Sequence, residues 1–160
     1  MITENDIWEI LKEVEDPEIP ILSVVDMGIV RAVEIENNHI TVTITPTYSG
    51  CPAMKTIETD IREILAEKKV GSYDVISRLS PPWTTDWMTE DGKKALLANG
   101  IAPPEGTADK GLLMGKVRNI TCPKCKSTDT RLLSQFGTTA CKALYVCNAC
   151  KDPFDYFKCL

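Results

Sequence analysis

Two short cysteine pairs, Cys122-Pro123-Lys124-Cys125 and Cys147-Asn148-Ala149-Cys150, carry the clearest chemistry in this chain. A gap of two residues lets both thiolates of a pair reach one ion, and two such pairs complete a tetrahedral S4 site. The residues between the pairs suit a small β-ribbon that folds the chain back on itself. The spacing therefore predicts a closed, structural metal centre. Zn2+ is the usual occupant of such a centre, and iron held in the rubredoxin manner also suits tetrahedral S4.

Cys51 is a second kind of sulfur. It immediately precedes Pro52, where a strand turns into a helix. Backbone N–H groups at a helix start carry partial positive charge, which favours thiolate over thiol. A thiolate there could bind a soft metal, hold a sulfide-bearing cluster or attack an electrophile. A cysteine packed under the helix is the plainer reading. The single histidine, His39, falls on a hairpin turn beside Asn37 and Asn38, so a Cys-His hydrolase and a histidine-ligated catalytic zinc are poor fits. Asp16, Glu18 and Asp26 lie near bends, where such acids bond local backbone N–H groups. The alternative for Asp26 is a place beside Cys51, sharing a metal. Trp83 and Trp87, four residues apart, could form one aromatic face for a partner or seal the end of a core.

The elements that must position these groups follow from periodicity. Ile7, Trp8, Ile10, Leu11 and Val14 recur at helical spacing, predicting a helix over about 4–15 that Pro17 and Pro20 end. Residues 29–35 and 40–45 alternate as strands around an Asn37-Asn38 turn. Pro52 suits a helix start, and Met54, Ile57, Ile61, Ile64 and Leu65 carry that helix to near Lys69, with Gly71 closing it. Residues 73–79 read as a third strand. Thr89 is placed to cap a helix that runs to about Asn99, with Gly100 as its stop. The stretch 102–111 holds little that could enter a core and reads as a linker or surface loop.

Composition narrows the functional classes. Acids outnumber bases, 23 to 18, for a net charge of −5, which argues against a nucleic-acid surface. Lys116, Arg118, Lys124, Lys126 and Arg131 nevertheless give the ribbon local positive charge. No apolar run approaches a membrane span, and the acidic first residues do not resemble a secretory signal. Seven cysteines in such a chain point to a reducing cytoplasm, where they serve metals or chemistry rather than disulfides. No dinucleotide fingerprint occurs, and no predicted helix carries the Glu-x-x-His pair of a di-iron centre; Glu36-Asn37-Asn38-His39 falls on the hairpin turn.

Three segments carry a resemblance: Asp16-Pro17-Glu18-Ile19-Pro20, Val25-Asp26-Met27-Gly28-Ile29-Val30 and Thr45-Pro46-Thr47-Tyr48-Ser49-Gly50-Cys51-Pro52. Together they resemble the iron–sulfur cluster assembly family that includes SufT-like proteins. Pro81-Pro82-Trp83-Thr84-Thr85-Asp86-Trp87 and Phe136-Gly137-Thr138-Thr139-Ala140-Cys141-Lys142-Ala143-Leu144-Tyr145 narrow it to the PaaD/PaaJ family of accessory subunits of phenylacetyl-CoA epoxidase. The resemblance implies an α+β fold, a small mixed sheet packed by helices, over residues 1–101. A linker at 102–118 and a four-cysteine zinc ribbon at 119–160 would follow. It places the family cysteine on Cys51 and the family acid on Asp26, and brings Cys141 into view between the knuckles, where it could displace one expected ligand or, more plainly, stay a free thiol. Cys159 has no assigned role.

The expectation is a cytoplasmic, non-catalytic accessory protein of aerobic phenylacetate degradation. It would assist iron–sulfur cluster assembly or delivery to the iron–sulfur flavin reductase component of the epoxidase. Cys51 would hold iron or a cluster transiently, with Asp26 shaping the site. Cys122, Cys125, Cys147 and Cys150 would hold structural zinc, or iron. The competing expectation is a docking subunit that binds the oxygenase through the ribbon and Trp83/Trp87 and transfers no metal. A nucleic-acid-binding ribbon and a rubredoxin-like electron carrier are weaker readings. Self-association is left open.

Overall fold

The computed structural model describes residues 1–48, 50–104 and 119–157. Most of the expected linker, together with Lys116, Arg118 and Cys159, lies outside them. The chain forms two compact units, one of Met1–Trp83 with Trp87–Gly92 and the other of Thr84–Asp86 with Lys93–Leu160. The fold is the expected α+β class.

In the first unit, α1 (Glu4–Leu11) starts on a reciprocal cap. The Thr3 hydroxyl accepts the Asp6 N–H at 3.2 Å, and the Asp6 carboxylate accepts the Thr3 N–H at 2.8 Å. The helix buries Ile7 and Leu11 and stops four residues short of the expected end. Val14 and Glu15 are taken by a returning segment instead. The Val24 N–H donates to the Val14 carbonyl at 2.9 Å, and Glu15 bridges Ser23. Asp16 is buried in the turn between them and accepts the Glu18 and Ile19 N–H groups at 2.8 and 3.0 Å.

β1 (Val30–Glu36) and β2 (His39–Ile44) form the antiparallel hairpin. Asn37 and Asn38 both adopt positive φ, +50° and +62°, as a type I′ turn requires. α2 (Ala53–Glu67) buries Ala53, Ile57, Ile61 and Leu65 at helical spacing. It then returns the chain into β3 (Ser72–Ser77), which pairs parallel to β2 and completes a sheet of order β1-β2-β3. Tyr73 and Arg62 fasten α2 to β3. The Tyr73 hydroxyl donates to the Arg62 carbonyl at 2.9 Å, and the Arg62 guanidinium donates to the Val75 carbonyl at 3.1 Å.

α3 (Glu90–Ala98) starts where Thr89 predicted it, with the Thr89 hydroxyl accepting the Gly92 N–H at 3.0 Å. Gly100, at φ +74°, follows its end.

The second unit is built on a sheet of order β4-β7-β6-β5. Its strands are β4 (Ile101–Ala102), β5 (Thr130–Ser134), β6 (Lys142–Cys147) and β7 (Pro153–Phe157). Composition puts Ile101 at a domain end and Ala102 at the start of a linker. The structure pairs them with Asp155 and Tyr156 as a strand of the ribbon sheet, and Ala102 is buried in its core. Tyr145 centres that core, stacked on Phe154 at 5.9 Å between ring centroids and edge-on to Tyr156 at 5.7 Å.

Candidate functional site

The ribbon cysteines are brought together as the spacing requires. The sulfurs of Cys122, Cys125, Cys147 and Cys150 all lie within 4.8 Å of one another. Cys122 and Cys150 sulfurs are 3.8 Å apart, and those of Cys125 and Cys147 are 3.5 Å apart. A tetrahedral ion with metal–sulfur bonds of about 2.3 Å would separate its sulfurs by about 3.8 Å, so the arrangement fits one four-coordinate metal.

The two knuckles are near copies. In the first, the Lys126 N–H donates to the Cys122 carbonyl at 3.0 Å and the Cys122 N–H to the Ser127 carbonyl at 2.9 Å. In the second, the Lys151 N–H donates to the Cys147 carbonyl at 2.9 Å and the Cys147 N–H to the Asp152 carbonyl at 3.0 Å. Each knuckle closes on a lysine in the left-handed region, Lys126 at φ +65° and Lys151 at φ +66°. That conformation costs a side-chain-bearing residue about 1–2 kcal/mol, part of which glycine gives back through its freer unfolded chain. Lys126→Gly and Lys151→Gly are each expected to stabilise the ribbon by about 0.5 kcal/mol, read as a higher denaturant midpoint for Tyr145 fluorescence.

Side chains lock the knuckles to the sheet. The Thr130 hydroxyl accepts the Ile120 N–H at 2.9 Å and donates to the Ile120 carbonyl at 2.6 Å, and Asn148 donates to the Asp129 carboxylate at 2.9 Å. The Cys150 backbone N–H, 3.5 Å from the Cys147 sulfur, leads the interactions that lower the Cys147 pKa to about 7. Cys150 is pushed the other way, up to about 11: the Asp152 backbone N–H pulls it down, but lost hydration and the Cys147, Cys125 and Cys122 thiols outweigh that pull. Filling the site at neutral pH therefore expels protons. Cys141 is not in this cluster; it is buried, its sulfur 3.0 Å from the Thr139 hydroxyl.

Cys51 and Asp26 are carried to one end of the first sheet. β1 begins at Val30 opposite Ile44, the last residue of β2, and the Thr45 N–H extends the pairing to the Ile29 carbonyl at 2.8 Å. Asp26 lies in the segment that enters β1 at this end, and Cys51 in the segment that leaves β2 from it. Both are half-buried and within reach of solvent. Cys51 follows Gly50, at φ +77°, and its carbonyl accepts the Met54 N–H in the first turn of α2. β3 ends opposite the same Ile44, so the segment from Arg78 onward leaves from this end too.

That segment grips the Asp26 turn at several points. The Thr89 hydroxyl donates to Asp26 Oδ1 at 2.8 Å, and the Thr89 N–H to the Asp26 carbonyl at 3.0 Å. The Trp83 indole N–H donates to the Met27 carbonyl at 2.9 Å. Gly28, at φ +72°, lies against Trp87. A Cβ on Gly28 would stand 2.4 Å from the Trp87 carbonyl oxygen. Gly28→Ala is therefore expected to cost roughly 2–4 kcal/mol, from backbone strain plus the clash, measurable by urea unfolding.

Trp83 does not fit the expected partner face. It is 4% exposed and its indole N–H is engaged, so it seals the core end instead. Trp87 is half-buried, with the Arg31 guanidinium 3.6 Å over its ring. His39, the first residue of the central strand β2, bridges Ser72 at 2.7 Å and Asp74 at 3.0 Å on β3. Sequence reasoning missed Ser23 and Thr89, whose hydroxyls hold the Asp26 carboxylate; only a Ser-x-x-Asp spacing hints at the first.

Among the described residues, no helix is long and apolar enough to cross a membrane. The geometry defines a class: an α+β domain of the iron–sulfur cluster assembly type, followed by a four-cysteine ribbon. Residues 4–72 match the family described as iron–sulfur cluster assembly protein, and residues 106–158 match the PaaD zinc beta ribbon domain. The chain is 46% identical over 98% of its length, and over 93% of the relative's, to an Escherichia coli K12 protein named as a component of a "Putative 1,2-phenylacetyl-CoA epoxidase". It belongs to the PaaD family. Over 51% of its length it is 36% identical to the Fe-S protein maturation auxiliary factor SufT of Staphylococcus aureus, covering 93% of that protein. The crystal structure of a domain of unknown function, DUF59, from Bacillus anthracis superposes on 58% of the chain and 90% of that domain, with a TM-score of 0.55 at 32% identity.

Proposed function

We propose that this chain is an accessory subunit of a phenylacetyl-CoA epoxidase system that assists iron–sulfur cluster assembly or delivery to the system's reductase component. Cys51 supplies the sulfur that holds the cargo iron or cluster, and Asp26 supplies an oxygen beside it. What supports this reading is that the segments carrying a half-buried thiol and a half-buried carboxylate both adjoin the same end of the sheet. The names of the relatives support it: one belongs to an epoxidase, the other is an Fe-S protein maturation factor. Cys122, Cys125, Cys147 and Cys150 hold zinc, which shapes the ribbon and takes no part in the transfer. The test is Cys51→Ser, read as cluster content of the reductase.

A docking role without metal transfer is favoured by a different observation. Leu133 and Phe136, at the end of β5 and in the loop after it, are 46% and 64% exposed. Apolar side chains so displayed suit a protein partner. Under that reading Cys51→Ser leaves the reductase fully loaded, and charged substitutions at Leu133 and Phe136 release the accessory protein from the complex.

A further inference from the structure

In the segment 81–89, Trp83, Trp87 and Thr89 are left without a role by the proposed transfer chemistry. Their contacts converge on the turn that carries Asp26. A carboxylate on a half-buried turn has two free side-chain torsions and would sample several directions unless held. Here both oxygens are held. Ser23 donates to Oδ2 at 3.0 Å from the same turn, and Thr89 donates to Oδ1 at 2.8 Å from a distant part of the chain. The Asp26 N–H in turn donates to the Ser23 hydroxyl at 3.0 Å. Each carboxylate oxygen keeps a second lone pair. The group is thus oriented without being saturated.

Thr89 is fixed as tightly as the group it holds. Its hydroxyl accepts the Gly92 N–H at 3.0 Å, so its hydrogen is free to point at Asp26. Gly92 lies so close that a Cβ there would stand 3.1 Å from the Asp26 carbonyl oxygen and 3.2 Å from Thr89 Oγ1. The start of α3, the Asp26 turn and the Thr89 hydroxyl form one packed unit.

We infer that Thr89 is a positioning residue: it aims the Asp26 carboxylate for the cargo metal, and Gly92 leaves the room that this alignment needs. The inference rests on the reading that Cys51 and Asp26 hold that metal. Outer groups that orient a metal ligand are typically worth roughly 10–100-fold in affinity.

The test is anaerobic titration of the full-length, zinc-loaded protein with ferrous ion, comparing wild type, Cys51→Ser, Thr89→Val, Thr89→Ser and Gly92→Ala. Thr89→Val keeps the shape and loses the hydroxyl; it is expected to weaken ferrous binding by roughly 10–100-fold while ribbon zinc stays at wild-type stoichiometry. Thr89→Ser restores the donor and is expected to bind within about twofold of wild type, a rescue that loss of packing alone would not give. Wild-type affinity in Thr89→Val, or no rescue by serine, overturns the inference. If Thr89→Val does not fold, Gly92→Ala decides: it removes no hydrogen-bonding group, and unchanged affinity overturns the inference. Equal binding by wild type and Cys51→Ser overturns the underlying reading, and the inference falls with it.

Discussion

Cys51→Ser is expected to leave the reductase component largely without its cluster while the accessory protein itself folds as before. Sulfur to oxygen is a small change in volume at a half-buried position, and the Cys51 backbone groups keep their bonds to Tyr48 and Met54. Stability should therefore shift by less than about 1 kcal/mol. The chemical change is large. A serine hydroxyl stays protonated at neutral pH and is a poor ligand for a soft metal, whereas the thiolate is the species that binds iron and sulfide. Cluster content should be measured as iron and acid-labile sulfide on the reductase isolated from cells carrying each variant, beside thermal unfolding of the variant. A drop of roughly tenfold or more, with an unchanged melting curve, is the expected result. Full occupancy would leave Cys51 a packing residue.

The second large effect concerns the ribbon. Cys147→Ser, or removal of the ion from the wild type by a strong chelator, is expected to unfold residues 119–157 as a unit. Cys122 and Cys147 are fully buried and belong to the same core as Ile120, Tyr145, Phe154 and Tyr156. A metal bound there holds the sheet as well as the knuckles. Structural zinc contributes on the order of 10 kcal/mol to small domains, more than a core of this size supplies alone. Hydrogen exchange on the full-length protein provides the readout. The Lys126 and Lys151 amides should lose protection together, and metal should fall from one ion per chain to none. Amides of β2 and α2 should hold theirs. Persistent protection in metal-free protein would show that the ribbon folds on apolar packing alone.

What could be read from the sequence was local. The Asn37-Asn38 turn was legible because asparagine is among the few residues that tolerate two successive positive φ angles. The knuckles were legible because metal–sulfur geometry fixes the spacing of ligands along the chain. α2 and the start of α3 announced themselves by apolar period and by a capping threonine. The misses share another cause. Val14 fits a helical stripe, yet its carbonyl is taken by Val24, and a tertiary pairing outcompetes further residues of helix. β4 has only two residues, too few for any period, and its place depends on Asp155 and Tyr156 at the far end of the chain. The sequence offered Trp83 two uses, and only the position of the Met27 carbonyl decides between them. The grip of Thr89 on Asp26 was illegible for the same reason: the two are far apart in the chain, and only the fold brings the hydroxyl to the carboxylate.

The pairing of Ile101–Ala102 with β7 has a practical consequence. The ribbon's family match begins at residue 106, which invites excision of the tail from that point. A fragment so cut would lack the strand that covers β7 and would display unpaired backbone beside Phe154, Tyr156 and Phe157. Such an edge recruits other chains. Isolated tails should therefore stay monomeric when they start ahead of Ile101 and aggregate when they start beyond Ala102, whatever ion they carry.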